Sequence, residues 1–245
     1  MICPHSAMVR ACLLVFAAVV ARGGARASES PATAPIRIAL AGDSTVATYP
    51  DNIAQKGWGQ FLGLFFDDHV KVTNFAKGGR STKTFLSEGL WAELLKSRPS
   101  IVLIQFGHND SHSAENPEHT DPQGLYRSIL ERFIDETRAA GATPILVTPV
   151  QRRTATDNLI PYSDAMKGVA RQRKVSLIDL HRSSGELYAR LGPAGTAALA
   201  KSADDSTHFN AEGARLVAAL VKDDLLICVP PLRGHLAHAP PAPAP

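Results

Sequence analysis

A hydroxyl, an imidazole and a carboxylate at chain turns are the ingredients of acyl transfer, and this sequence carries all three. Ser44 follows the apolar run Ile36 to Ala41 and the break Gly42-Asp43, where a buried strand should end. A serine hydroxyl is a poor nucleophile at neutral pH and needs a base, and histidine accepts protons best near its unperturbed pKa. His208 is the candidate base. Asp205, three residues earlier, can fold back onto the far ring nitrogen, fix the tautomer and balance the positive charge that develops. Asp204 is the adjacent competitor and is set aside because the i−3 spacing belongs to Asp205.

Attack on an ester carbonyl creates an oxyanion, and each donor fixed around it contributes about 2.7–4 kcal/mol. Three donors are available: the backbone N–H of Ser44 at a strand-to-helix turn, the N–H of Gly79 in Gly78-Gly79-Arg80-Ser81, and the Asn109 carboxamide in Gly107-His108-Asn109-Asp110. Plainer roles compete with these. Ser44 could cap a helix, His208 could be an ordinary surface histidine, Gly79 could merely permit a turn and Asn109 could brace its loop. Asp43 and Asp110 read as loop-holding groups, and His108 and Arg80 as either substrate contacts or braces. Trp58, Trp91 and Tyr162 would stack on sugars if exposed, but Trp58 keeps helical spacing with its apolar neighbours and reads as core.

Elements that could position these groups recur along the chain. Apolar, β-branched runs at 36–41, 70–76, 101–106, 144–149 and 175–180 alternate with helical spacings. Those spacings comprise Trp58, Phe61, Leu62 and Phe65, then Phe85, Leu86, Leu90, Leu94 and Leu95, then Leu125, Ile129, Phe133 and Ile134, and a last helix from about 211 to 227, capped by Asn210. Such alternation specifies right-handed crossovers and an α/β fold, a three-layer α/β/α sandwich on a five-stranded parallel sheet.

Residues 1–27 read as a signal peptide: Arg10, the apolar stretch Ala11 to Ala21, and Ala25-Arg26-Ala27 as a cleavage site. An exported, periplasmic or extracellular product follows. That leader holds three of the 26 Lys and Arg and none of the 23 Asp and Glu, so the rest is formally neutral. Without a Lys/Arg-rich block, nothing marks a nucleic-acid binder, and no membrane association is expected once the leader is cleaved. Cys3 and Cys12 leave with it, and Cys228, behind Leu225-Leu226-Ile227, reads as a buried small hydrophobe. Residues 28–228 form the expected domain, and 229–245, rich in Pro and Ala, a disordered tail.

Gly42-Asp43-Ser44-Thr45, Gly78-Gly79-Arg80-Ser81, Gly107-His108-Asn109-Asp110, Ile178-Asp179-Leu180-His181 and Asp205-Ser206-Thr207-His208-Phe209 resemble, in order and spacing, the blocks of the SGNH (GDSL-type) hydrolases. Within these they are similar to the rhamnogalacturonan acetylesterases, carbohydrate esterase family 12. The resemblance implies a flavodoxin-like strand order 2-1-3-4-5, no metal and no cofactor. It implies Ser44 as nucleophile, His208 as base, Asp205 as orienting acid, and Ser44, Gly79 and Asn109 as the oxyanion hole. The partner it implies is an acetylated polysaccharide; a monomer is expected. Lipase- or thioesterase-type action and a non-catalytic carbohydrate-binding role are the alternatives. A metallophosphoesterase fits less well, because His and Asn are reversed in Gly107-His108-Asn109-Asp110 and no Asp-x-His pair follows the first strand.

Overall fold

A computed structural model describes residues 34–238. The expected leader, and residues 239–245 of the expected tail, lie outside the described residues. Five strands, β1 (Ile36–Gly42), β2 (Val70–Asn74), β3 (Ile101–Gln105), β4 (Thr143–Val147) and β5 (Ser176–Ile178), form one parallel sheet in the order β2-β1-β3-β4-β5. Central β3 is buried along its whole length, as a strand covered on both faces must be. Strand order reverses between β1 and β3, and the crevice beyond their carboxyl ends is where ligands of such sheets bind.

Helices cover both faces. On one lie α1 (Gly59–Leu62), α6 (Leu180–Ala197) and α7 (Ala211–Cys228), packing Val217, Val221 and Leu225 on Ile38, Leu40, Leu103 and Val147. On the other lie α2 (Thr82–Ser87), α3 (Leu90–Lys96), α4 (Leu125–Ala139) and α5 (Ile160–Arg173). There β1 presents only Ala39 and Ala41, and their small size leaves room for Phe85, Trp91, Phe106 and Phe133. Asn210 caps α7 as expected, its Oδ1 accepting from the Gly213 N–H at 2.9 Å. The single spacing from Phe85 to Leu95 is two helices, because Gly89 takes φ +79° and breaks the run.

Two expectations need correction. Ser44 does not open a helix: residues 44–46 form a turn, and the next helix begins at Gly59. The tail does not begin at 229, because Pro230–His235 form a 3₁₀ turn that seats Leu232 in the core at 0% exposure. The Ala237 N–H then donates to the Phe65 carbonyl at 3.0 Å and the Asp67 N–H to the His235 carbonyl at 2.8 Å, so the segment is hydrogen-bonded to the domain. Proline suits this conformation, since it presets φ and lacks a donor that needs satisfying. Cys228 is half-buried and unpaired, with its thiol pKa raised by burial. Leu232→Ala should therefore lower stability by about 2–5 kcal/mol, as for other buried leucines, read as the shift in urea midpoint at unchanged slope.

Candidate active site

Asp205 builds the first half of the site locally. Its Oδ1 accepts the backbone N–H groups of Thr207 (2.8 Å) and His208 (2.6 Å), folding the turn, while Oδ2 accepts from His208 Nδ1 at 2.9 Å. With Nδ1 carrying the proton, Nε2 is left as an acceptor, and it stands 3.0 Å from Ser44 Oγ. Residues 164 positions apart thus form a continuous hydroxyl–imidazole–carboxylate relay. Asp204 is engaged elsewhere, accepting from Ser202 Oγ at 2.8 Å. The relay is recessed but reachable: Ser44 is 9% exposed and the His208 side chain 25%.

Charge in the relay is strongly biased. Burial pushes the Asp205 carboxyl up, but the N–H donors of His208 and Thr207 and the Lys201 ammonium, 3.1 Å from Oδ2, outweigh it and hold the acid well below the usual carboxylate range. Burial also dominates at His208, lowering its pKa from 6.5 despite Asp205, with Lys201 and His108 adding to the fall. The imidazole is therefore neutral at neutral pH and ready to accept a proton.

The loops after β2 and β3 close the other side. At Gly78 the backbone passes close to the serine turn: a Cβ there would sit 3.2 Å from the Tyr49 hydroxyl, which would have to give by a few tenths of an ångström, and 3.7 Å from Ser44 Cβ. Gly79 needs glycine for its φ of +79°, and a Cβ there would meet nothing within 4 Å. Asn109 Nδ2 donates to the Arg80 carbonyl at 3.0 Å, which joins the loops after β2 and β3. Asp110 reinforces the joint by accepting from Thr82 Oγ1 (2.6 Å), Thr82 N (3.1 Å) and Thr120 Oγ1 (2.8 Å). Burial nonetheless pushes its pKa up to about 6. Beneath Ser44 runs a buried polar chain: Trp58 Nε1 donates to Gln105 Oε1 (2.7 Å), Gln105 Nε2 to Thr45 Oγ1 (2.7 Å), and Thr45 Oγ1 to Asp43 Oδ1 (2.7 Å). Asp43 Oδ2 lies 3.3 Å from His108 Nδ1.

Residues 40–216 match the GDSL-like lipase/acylhydrolase family. The chain belongs to that family. The Bacillus subtilis (strain 168) protein named rhamnogalacturonan acetylesterase RhgT is 38% identical over 223 residues, covering 82% of this chain and 94% of that one. A second relative from the same strain, named probable rhamnogalacturonan acetylesterase YesY, is 38% identical over 194 residues, 75% of this chain and 89% of its own. The crystal structure of Bacillus subtilis YxiM superposes with a TM-score of 0.69 at 29% identity, over 78% of this chain and 56% of that one. This GDSL-family member is a carboxylic ester hydrolase with the SGNH fold.

Several groups around the candidate site carry no sequence signal. Tyr49 Oη donates to the Ser44 carbonyl (3.1 Å), Gln55 Nε2 to Tyr49 Oη (2.7 Å), and Lys201 Nζ to Gln55 Oε1 (3.1 Å). Because Lys201 also reaches Asp205, a ring of contacts runs from Ser44 back to itself. Arg153 Nη2 donates to the carbonyls of Asp205 (3.0 Å) and His208 (2.7 Å), with the guanidinium over the Phe209 ring. These partners are far apart in sequence and ordinary in type, so only the fold reveals them. The three aromatic candidates for sugar stacking are all buried: Trp58 in the polar chain, Trp91 donating to Glu136, and Tyr162 Oη beside the carbonyls of Asp110 and Thr120. Arg80 is held by Glu88 and the Gly78 carbonyl, and His181 pairs with Asp157 at 2.7 Å. Among the described residues no group of three or more His, Cys, Asp or Glu could hold a metal ion.

The His208 ring should titrate below 6.5, as histidine NMR would record. Lys201→Met removes a cation that disfavours the imidazolium, so the titration should move to higher pH. Movement to lower pH would contradict the electrostatic picture.

Proposed function

We propose that this esterase, once exported, removes acetyl groups from an acetylated polysaccharide, rhamnogalacturonan being the substrate, through an acyl-enzyme on Ser44. The observation that carries the chemistry is the relay of 3.0 and 2.9 Å from Ser44 through His208 to Asp205. In the first half-reaction Ser44 Oγ attacks the acetyl carbonyl as His208 Nε2 takes its proton. The oxyanion is received by the N–H groups of Ser44 and Gly79 and by the Asn109 carboxamide. Collapse breaks the bond to the sugar oxygen, which leaves with the proton from His208. Water then attacks the acetyl-serine with His208 again as base, and acetate departs. Asp205 remains ionised throughout and balances the imidazolium each time it forms.

For the substrate, support comes from RhgT and YesY, whose names specify rhamnogalacturonan and whose likeness spans most of both chains. A cleft of about 800 Å³, lined by Arg152, Arg153, Tyr188, Asp204, Asp205 and Ser206 among others, adjoins the loop of the base and offers room for sugars flanking the acetylated one.

Acetate release should be fastest from acetylated rhamnogalacturonan in a panel with acetylated xylan and long-chain acyl esters. Preference for the long-chain esters would replace this reading with a lipase. Ser44→Ala, His208→Ala and Asp205→Asn should each lower kcat/KM by about 10⁴-fold or more with the fold intact by circular dichroism. Wild-type rates in any of them would refute its role.

A further inference from the structure

Two of the loops that make the site, one around His108 and one around Thr207, are far apart in the chain, and one side chain reaches both. Arg152 lies in the loop after β4. Its Nη2 donates to the His108 carbonyl at 3.2 Å, one residue before Asn109, and its Nη1 donates to Thr207 Oγ1, one residue before His208. Nε donates to Asn158 Oδ1 at 3.1 Å within its own loop. We propose that Arg152 is a positioning residue that sets the separation between the oxyanion donor Asn109 and the base His208.

A planar guanidinium suits this task because its N–H groups diverge in a fixed fork, so two acceptors held by it cannot drift independently. All three partners are neutral oxygens, and burial of the guanidinium outweighs the longer-range attraction of Asp43, Asp157 and Asp205, so the arrangement is a costly way merely to stabilise a loop. Lysine would keep the charge and the stem but would have one nitrogen where two directions are needed. Because catalytic distances are steep determinants of rate, a 1 Å displacement of either loop is enough to cost about 10²-fold.

This proposal rests on the esterase chemistry above, and a serine-directed organophosphonate reads the site without reference to any polysaccharide. Arg152→Lys should slow both labelling of Ser44 and kcat on p-nitrophenyl acetate by about tenfold or more, with KM changed by less than about twofold. Thr207→Val, which removes one tine of the fork, should show the same split at smaller size. In a double-mutant cycle with Asn109→Ala the losses should fall short of multiplying, because Arg152 acts partly through the donor already removed. Full labelling and kcat in folded Arg152→Lys, or losses that multiply fully in the cycle, would overturn the assignment. A wild-type protein that the probe fails to label would sink the serine mechanism and this proposal together, whereas labelling without polysaccharide deacetylation would sink only the substrate.

Discussion

The Asp205 carboxylate is the constraint from which the site follows. One oxygen folds the turn by taking two backbone N–H groups, and the other holds the ring of the residue that the turn delivers. Local structure and side-chain tautomer are thereby set by the same group. An amide in its place would keep one acceptor oxygen but present a donor to Nδ1, so the turn and the tautomer could not both survive. The carboxylate keeps its charge because four donors, Lys201 included, compensate its partial burial. The serine loop has a parallel device, since Asp43 Oδ1 accepts the Thr45 N–H (2.9 Å) and the Thr45 hydroxyl (2.7 Å), while β1 already ends at the crevice and Gly78 lets the neighbouring loop pack against Ser44.

Beneath this surface the loops are joined by polar rather than apolar contacts. The chain Trp58, Gln105, Thr45 and Asp43 links the entry to α1, the end of β3 and the Ser44 turn, with His108 alongside. Asp110 ties the asparagine loop to the start of α2. Such groups are costly to bury singly and specific when paired, because each accepts few geometries. Aliphatic side chains would fill the same volume without fixing the angle at which Ser44 or Asn109 leaves its strand. Precision at the site is thus bought with buried polarity, and the burial that lifts Asp110 to about 6 is the trace of that cost.

The strands and the Ser44, Gly79, Asn109 and His208 loops were legible because apolar runs broken by Gly or Asp leave a strong local signal. Helices α5 and α6 were not. The buried face of α5 includes small residues such as Ala165 and Ala170, and α6 is polar and kinked by Gly192-Pro193, so neither shows a strong apolar stripe. The segment at 229–238 was misread for a related reason: Pro and Ala suggest disorder by composition, while a single leucine, Leu232, decides that it docks. Tyr49, Gln55, Lys201, Arg152 and Arg153 were invisible because their roles depend on partners many residues away, and one polar side chain resembles another until the fold chooses its neighbour.

Formal neutrality over residues 28–245 also hides a local imbalance around His208. Lys201 and His108 both disfavour a charged His208, and Asp205 favours it, while burial tips the sum toward the neutral ring. In the proposed mechanism, a base with a lowered pKa stays unprotonated further into the acid range but is intrinsically weaker, so taking the proton from serine is more uphill. In that mechanism Asp205 offsets the weakness, because its attraction grows as the imidazolium forms, whereas the burial that keeps the resting ring neutral is already in place. The His208 ring is thus kept uncharged at rest by its surroundings, and the mechanism proposed above has one ion support it during reaction. Net charge over the whole chain is blind to this division, which exists only over the few ångströms between Lys201, Asp205 and His208.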